Sequence, residues 1–509
     1  MLARSVSATP WGVDARIVDV EVDARNGLPA MFLVGLPDAS VRESRERVRA
    51  AIVNSGFELK PQVVVINLAP ADLRKEGNHL DLAIALALLS AVGHLSPAVF
   101  DGRLICGELG LDGGVRPVRG GLALADLARR EGLRELLLPA ENAAEAAALD
   151  AVPVLPVRSL REAVAHLRSE RPIQPARAGA GPVPSDAGAQ PDLAEVRGQA
   201  GAKRALEVAA AGGHNLLLIG PPGAGKTMLA RRLPGILPSL TLAESIAVTK
   251  IHALVAEAPA SSLVATRPFR APHAGVSAAG MVGGGSVPRP GEASLAHAGV
   301  LFLDELPEFA RAALEALRQP LEEGQITVVR TRARFVFPAR FALLAAMNPC
   351  PCGHLGDPRQ SCSCTPQQIA RYRGRVSGPL LDRIDLHVDV PAVSLSALRA
   401  GPGEPSDAVA ARVAAARERQ RARFDARFDT PVNAALDSEG IDRHCRLDAS
   451  AQRLLDAAFD RLNLSARALT RILKVGRTIA DLAGSDAIAA DHVAEAIHYR
   501  SLDRRVDEW

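Results

Sequence analysis

Leu216-Leu-Leu-Ile219 runs directly into Gly220-Pro-Pro-Gly-Ala-Gly225-Lys226-Thr227, and a helical run from Met228 to Leu233 follows. An apolar strand, a glycine-rich bend and a helix in that order give the G-x-x-x-x-G-K-[ST] phosphate loop in its proper context. Each position has a physical reason. Glycines let the backbone curl until successive N–H groups face phosphate oxygens. The helix start adds partial positive charge. Lys226 is placed to reach the β- and γ-phosphates, and Thr227 to ligate Mg²⁺. With six lysines in 509 residues, chance rarely delivers one at this position. The expected nucleotide-binding segment is Gly220, Pro221, Pro222, Gly223, Ala224, Gly225, Lys226, Thr227 and Met228.

Outward from the loop, Val300-Leu-Phe-Leu-Asp304-Glu305 is an apolar strand that ends in two acids. Asp304 is expected to hold the hydration shell of Mg²⁺, and Glu305 to orient and polarise the attacking water. Phe341-Ala-Leu-Leu-Ala-Ala-Met-Asn348 is a further strand, ending in an amide that can bond the γ-phosphate or the water. Residues 216–219, 300–303, 341–346 and 386–390 read as strands between helical patterns. That alternation predicts a parallel sheet with crossover helices and a ligand at its carboxyl edge.

The chain is expected to be α/β in class and to have three domains. Residues 1–168 mix strand patterns (16–22, 63–68) with helix patterns (41–53, 80–92). Residues 169–192 are dense in Pro, Ala and Gly and read as a linker. Residues 193–400 hold the phosphate loop, and 401–509 read as an all-helical C-terminal domain. Sixty basic and 57 acidic residues leave a net charge of +3, too balanced to name a polyanionic partner. Aromatics are 3%, few for a base-stacking platform. The longest apolar run, 82–92, falls short of the ~18 residues a membrane helix needs, and the N-terminus lacks a secretory h-region. The cytoplasm is the expected compartment, without a membrane partner.

Four of the six cysteines, Cys350, Cys352, Cys362 and Cys364, give C-x-C-x9-C-x-C. In a chain that is not a disulfide scaffold, four thiolates so close point to a tetrahedral, structural Zn²⁺, with His354 as a spare ligand. Free thiols and a redox disulfide are the alternatives. Cys106 and Cys445 read as buried and inert.

On residues 192–227 (DLAEVRGQAGAKRALEVAAAGGHNLLLIGPPGAGKT), 269–309 (FRAPHAGVSAAGMVGGGSVPRPGEASLAHAGVLFLDELPEF) and 345–388 (from AAMNPCPCGH to LLDRIDLHV), the chain resembles AAA+ proteins, and more narrowly the magnesium-chelatase-like ComM family. The resemblance implies a central P-loop AAA+ domain, a helical lid, and a homo-hexameric ATPase using ATP and Mg²⁺. It further implies action on single-stranded or branched DNA, as a helicase or branch-migration factor in natural transformation and recombination, with recombination proteins as possible partners. By the same resemblance Arg383 reaches into the neighbouring subunit's site, and Arg467 is the second sensor, with Arg471 its competitor. Val196 and Gln199 lie where the family packs adenine. Residues 329–337 (VRTRARFVF) match a hairpin inserted before the first sensor and aimed at the central pore. There Arg330, Arg332 and Arg334 alternate along one strand face and can meet phosphates. A solvated strand face is the plainer reading.

Residues 1–168 resemble the proteolytic domain of Lon-type proteases, over 67–77, 106–110 and 119–122. His79 stands at the position of the nucleophilic Ser and Ala123 at that of the Lys, so the resemblance implies a retained fold without peptide hydrolysis. Lys75, Arg74 and His79 are candidates for DNA contact. Two other functions compete with the DNA motor: a chelatase-type ATPase driving metal insertion through a partner, and an ATP-gated scaffold.

Overall fold

The computed structural model describes residues 2–75, 77–177, 190–255, 263–285, 288–330, 333–357, 359–399, 401–424, 432–462 and 464–500. The chain divides into two compact units. One comprises residues 1–185, 241–265 and 327–337, and the other 186–240, 266–326 and 338–509. Two segments drawn from within 193–400 thus cluster with the first unit.

The first unit is built on a seven-stranded mixed sheet. Its order is Ala30–Val34, Gln62–Ala69, Asp14–Asn26, Leu2–Trp11, Arg103–Ile105, Glu135–Pro139 and Val154–Val157. Leu2–Trp11 and Asp14–Asn26 form an antiparallel hairpin whose last pair is Trp11 with Asp14. Gly12 turns it at φ +65°, a conformation that suits glycine. Period-two alternation sends Val18, Val20 and Val22 to the buried face, where Val20 lies opposite Leu68 and Val22 opposite Ile66. The helix Asp81–Ala91 covers this face; all eleven residues are buried, and all but Asp81 and Ser90 are apolar. The helix Ala39–Asn54 starts at Asp38, whose carboxylate accepts the Val41 N–H at 2.8 Å. The expected linker 169–192 is described only at its ends, and its first part is tied down. The Ile173 N–H donates to His166 Nδ1 at 3.0 Å, and the Ala176 N–H to the Val154 carbonyl at 2.7 Å.

The two later segments enter this unit by specific contacts. In the helix Leu242–Ala253, Lys250 Nζ lies 2.5 Å from Asp126 Oδ2 and 2.9 Å from Asp14 Oδ1. Phe335, in the hairpin of Gln325–Arg330 and Ala333–Pro338, has its ring 5.2 Å from that of Trp11.

The second unit has a five-stranded, all-parallel sheet: Phe269–Arg270, Val300–Leu303, Ala342–Met347, Leu216–Ile219 and Leu386–Asp389. The first strand in sequence lies between the fourth and fifth. Chain connections diverge around it, which opens a crevice at its carboxyl end. Phe269–Arg270, two residues long, is the strand that hydrophobic pattern does not announce. The helical region consists of Ser406–Arg423, Ser438–His444, Ala449–Leu462, Ala466–Leu482 and Ala490–His498. Its helix Ala466–Leu482 buries Ile472, Val475 and Ile479 into the core shared with Leu216, Leu218 and Leu344. A polar joint fastens this helix to the sheet: His214 Nδ1 lies 3.2 Å from Asp385 Oδ2, and His214 Nε2 2.8 Å from Thr478 Oγ1. Among the described residues no helix is long and apolar enough to cross a membrane.

Lys250 and Asp126 are both buried, and removing the ammonium takes away the shortest of the carboxylate's contacts while Arg129, at 2.8 Å, and Arg130, at 3.5 Å, still pair with it. Lys250→Ala is expected to cost about 2 kcal/mol of first-unit stability, the loss of a charge-assisted hydrogen bond. Trp11 fluorescence in a urea titration, with Trp509 replaced by Phe, reads it; an unchanged midpoint would contradict the assignment.

Candidate functional site

The crevice at the carboxyl end of Leu216–Ile219 collects residues from four strand ends. Gly220 donates its N–H to Met347 O at 3.2 Å, while the Val390 N–H donates to Ile219 O at 2.7 Å, so the chain leaves the sheet between two neighbours. A Cβ on Gly220 would stand 2.1 Å from Val390 O, and only glycine fits. Gly223 and Gly225 adopt φ +75° and +91°, with nothing within 4 Å of a would-be Cβ. The backbone is thus bare where an anion would approach. The helix after the bend starts at Lys226 and is short, Lys226–Ala230, followed by Leu233–Ile236 rather than one run from Met228 to Leu233.

Lys226 Nζ donates to Gly220 O at 2.6 Å, Pro221 O at 3.0 Å and Asn348 Oδ1 at 3.1 Å. Burial lowers its pKa, and Asp304 and Glu305 oppose the shift. Thr227 Oγ1 donates to Asp304 Oδ2 at 2.6 Å. Asp304 Oδ1 accepts the Glu305 N–H at 3.0 Å. Glu305 sits at φ +54°, a left-handed conformation that costs a non-glycine residue about 1–2 kcal/mol. Such strain clusters at working sites. The structure thus brings together the loop, Lys226, Thr227, Asp304, Glu305 and Asn348. Met228 is exposed, Val196 is buried, and Gln199 Nε2 donates to Ala224 O at 3.1 Å and Pro391 O at 2.7 Å, bracing the loop from behind.

These groups fit a magnesium-bound triphosphate. The bare glycines leave room against the backbone, a cation stands at the loop's mouth, and a hydroxyl and a carboxylate converge as a hard, oxygen-rich cation requires.

The arginines lie elsewhere. Arg383 pairs with Glu322 and donates to Pro379 O, not to the nearby Asp382 or Asp385. Those acids are taken by the lid: Arg467 reaches Asp382 at 3.2 Å and Arg471 reaches Asp385 at 2.6 Å. Arg471 is half-buried in the His214 joint, whereas Arg467 is exposed.

The four cysteines converge. Cys350 Sγ lies 3.4 Å from Cys352 Sγ and 3.6 Å from Cys362 Sγ, and all four sulfurs lie within 4.8 Å of one another. N–H groups of His354 and Ser363 bring the Cys352 thiol down to about 5, into the thiolate range at neutral pH. Cys364 goes the other way, to about 12, although the Cys352 N–H favours its thiolate: burial and neighbouring sulfurs outweigh that bond. Four sulfurs so close together are a ready metal cage. Burial holds Cys106 and Cys445 up at about 11, as inert thiols.

In the first unit, two DNA-contact candidates are corrected. Lys75 is fully buried, its ammonium turned onto the Pro70 carbonyl, and burial lowers its pKa. His79 is buried and neutral, its pKa brought down to about 4 by burial against the pull of Asp38. Arg74 is exposed and Ala123 buried. Arg330 ends the first strand of the hairpin and Arg334 lies in the second, so the arginines do not share one strand face as expected; Arg334 is exposed, and Arg332 lies outside the described residues.

Comparison with known proteins meets this geometry. Residues 192–398 match the family "Magnesium chelatase, subunit ChlI", 20–142 "Subunit ChlI of Mg-chelatase", and 403–500 "Magnesium chelatase, subunit ChlI C-terminal". Competence protein ComM of Haemophilus influenzae is 44% identical over 507 residues, 99% of this chain and 98% of its own length. Escherichia coli YifB is 46% identical over 498 residues, 97% of this chain and 96% of its own. The chain belongs to the magnesium-chelatase-like ComM family. Membership carries an AAA+ ATPase activity, with ATP and Mg²⁺ as its cofactors.

Sequence alone missed Glu322 as the partner of Arg383, and the contact of Gly353 with Pro222 of the loop; both join residues far apart in the chain. Gly220→Ala is expected to weaken ATP binding at least about tenfold, because the methyl group must displace the loop from Val390. Calorimetric titration with a non-hydrolysable analogue checks it.

Proposed function

We propose that the chain is a hexameric motor that hydrolyses ATP to move on or remodel DNA, a helicase or branch-migration factor of natural transformation and recombination. The observation that carries this reading is the full-length likeness to a competence protein, joined to a complete nucleotide crevice.

In this reading residues 220–228 wrap the phosphates, with N–H donors from Gly223 onward since Pro221 and Pro222 carry none, and Val196 and Gln199 flank the adenine. Lys226, held by carbonyls and Asn348, swings little to meet the β- and γ-phosphates. Thr227 and Asp304 hold Mg²⁺, which on binding neutralises charge on the phosphoryl oxygens. Glu305 accepts a proton from the attacking water, its strained backbone fixing the carboxylate's direction. Asn348 orients that water or the γ-phosphate. Arg383 offers its guanidinium to a neighbouring subunit's triphosphate. Arg467 is paired with the residue beside Arg383, which favours service to that same neighbouring site. The exposed Arg334, with Arg330 and Arg332, meets DNA phosphates without reading sequence. The four thiols hold a structural Zn²⁺: at a Zn–S distance of about 2.3 Å a tetrahedron has S···S edges of about 3.8 Å, close to those found.

Lys226→Ala is expected to abolish turnover. Glu305→Gln should bind ATP and assemble, yet hydrolyse about 10²–10⁴-fold more slowly. A parental rate in either variant removes that assignment. Mixing inactive Lys226→Ala subunits with inactive Arg383→Ala subunits should recover partial activity, since an intact loop and an intact arginine then meet at some junctions. Forked DNA should stimulate ATP hydrolysis; indifference to DNA together with a response to a chelatase partner would replace the DNA motor with metal insertion.

A further inference from the structure

We propose that the cysteine turn is a metal-stiffened buttress for the phosphate loop, with Gly353 a positioning residue and metal occupancy setting nucleotide affinity. The inference rests on the reading of the four thiols as a Zn²⁺ site.

The strand Ala342–Met347 ends at Asn348, whose amide oxygen takes the Lys226 ammonium at 3.1 Å. Two residues on, Cys350 is buried, and the Gly353 N–H donates to its carbonyl at 3.0 Å, closing a tight turn. Gly353 adopts φ +86°, and the turn lies against the loop. A Cβ there would stand 2.7 Å from Pro222 Cδ, 2.9 Å from Pro222 Cγ and 4.0 Å from Asn348 Cγ. One glycine therefore rests on both the wall of the phosphate loop and the sensor amide.

The turn is gripped from its far end as well. Cys362 and Cys364 lead into the helix Pro366–Arg373, which opens with a capping box between Thr365 and Gln368. From the end of that helix Arg373 Nε donates back to Pro349 O at 3.2 Å, and Tyr372 bonds the Asn348 backbone. Between the two cysteine pairs His354, Leu355 and Asp357 are half-buried, whereas Gly356 and residues 359–361 are exposed. The placement of this stretch depends on the sulfur cluster. With a metal bound, four bonds fix the turn under Pro222. Without it, no bond joins the two cysteine pairs, and Gly353 loses its seat. The loop's N–H groups and the Asn348 amide then lose their fixed direction, and a misplacement of about 1 Å is enough to degrade a preorganised site.

The test measures zinc per chain by elemental analysis, affinity for a fluorescent ATP analogue, and far-UV dichroism to confirm the fold. It compares the parental protein, the same protein stripped by a chelator, Cys362→Ser and Gly353→Ala. The parental protein should carry about one zinc. The stripped protein and Cys362→Ser should lose zinc and bind the analogue about tenfold more weakly, while Gly353→Ala should keep its zinc and weaken similarly. Should Cys362→Ser not fold, the stripped protein answers the same question. Parental affinity in stripped, folded protein overturns the coupling while leaving the zinc site standing. Parental affinity in zinc-loaded Gly353→Ala overturns the role of the contact. Parental protein without zinc overturns the metal reading, and the dependence on metal falls with it.

Discussion

The ammonium of Lys226 is the constraint on which the second unit turns. It is drawn out of water at the end of a parallel sheet and satisfied by two carbonyls of its own loop and by Asn348 from the adjacent strand. A cation in that setting needs oxygens, and its own loop supplies them, which keeps the bend closed while the glycines stay bare. A triphosphate offers better oxygens in the same place. The site therefore holds its shape with internal acceptors that an anion can replace. Thr227 and Asp304 follow the same logic with a hydroxyl and a carboxylate.

A second polar set, around His214, fixes where the lid begins. Asp385 accepts from His214 and Arg471, and burial alone would raise its pKa; these donors hold it well below the ordinary carboxylate range instead. Asp385 precedes the edge strand Leu386–Asp389 and follows Asp382 and Arg383, so the joint sets the frame in which Arg383 and Arg467 are presented. Arg471, engaged here, is built into the lid's attachment, which leaves Arg467 as the exposed guanidinium of the two.

What was legible in the sequence was local. The phosphate loop, the acids closing residues 300–303 and the Asn closing the next strand are each written in consecutive residues, because backbone geometry and ligand chemistry demand fixed types at fixed offsets. The C-x-C pairs were legible for the same reason. Pairings across the chain were not. Nothing near Arg383 announces Glu322, and nothing near Gly353 announces Pro222, since both depend on how loops fold back over the sheet edge. The alternating arginines of 330–334 suggested a solvated or DNA-facing strand, and their neighbour Phe335 gave no sign that it would meet Trp11 from the other end of the sequence. Lys75 and His79 misled because charge was read without burial.

That burial bears on what the first unit can be. Lys75 spends its ammonium on the Pro70 carbonyl and His79 has no partner for Nε2 among the described residues, so neither is presented to solvent as an acid, a base or a cation. A few residues away, Asp81 is enclosed by Arg47, Ser44 and the Leu109 N–H. Burial drives its pKa up and these donors only partly offset that, a balance suited to holding backbone together rather than to exchanging protons with a substrate. These polar residues are thus placed in the unit's interior, whereas Arg74 and Arg334 are among the charges at its surface.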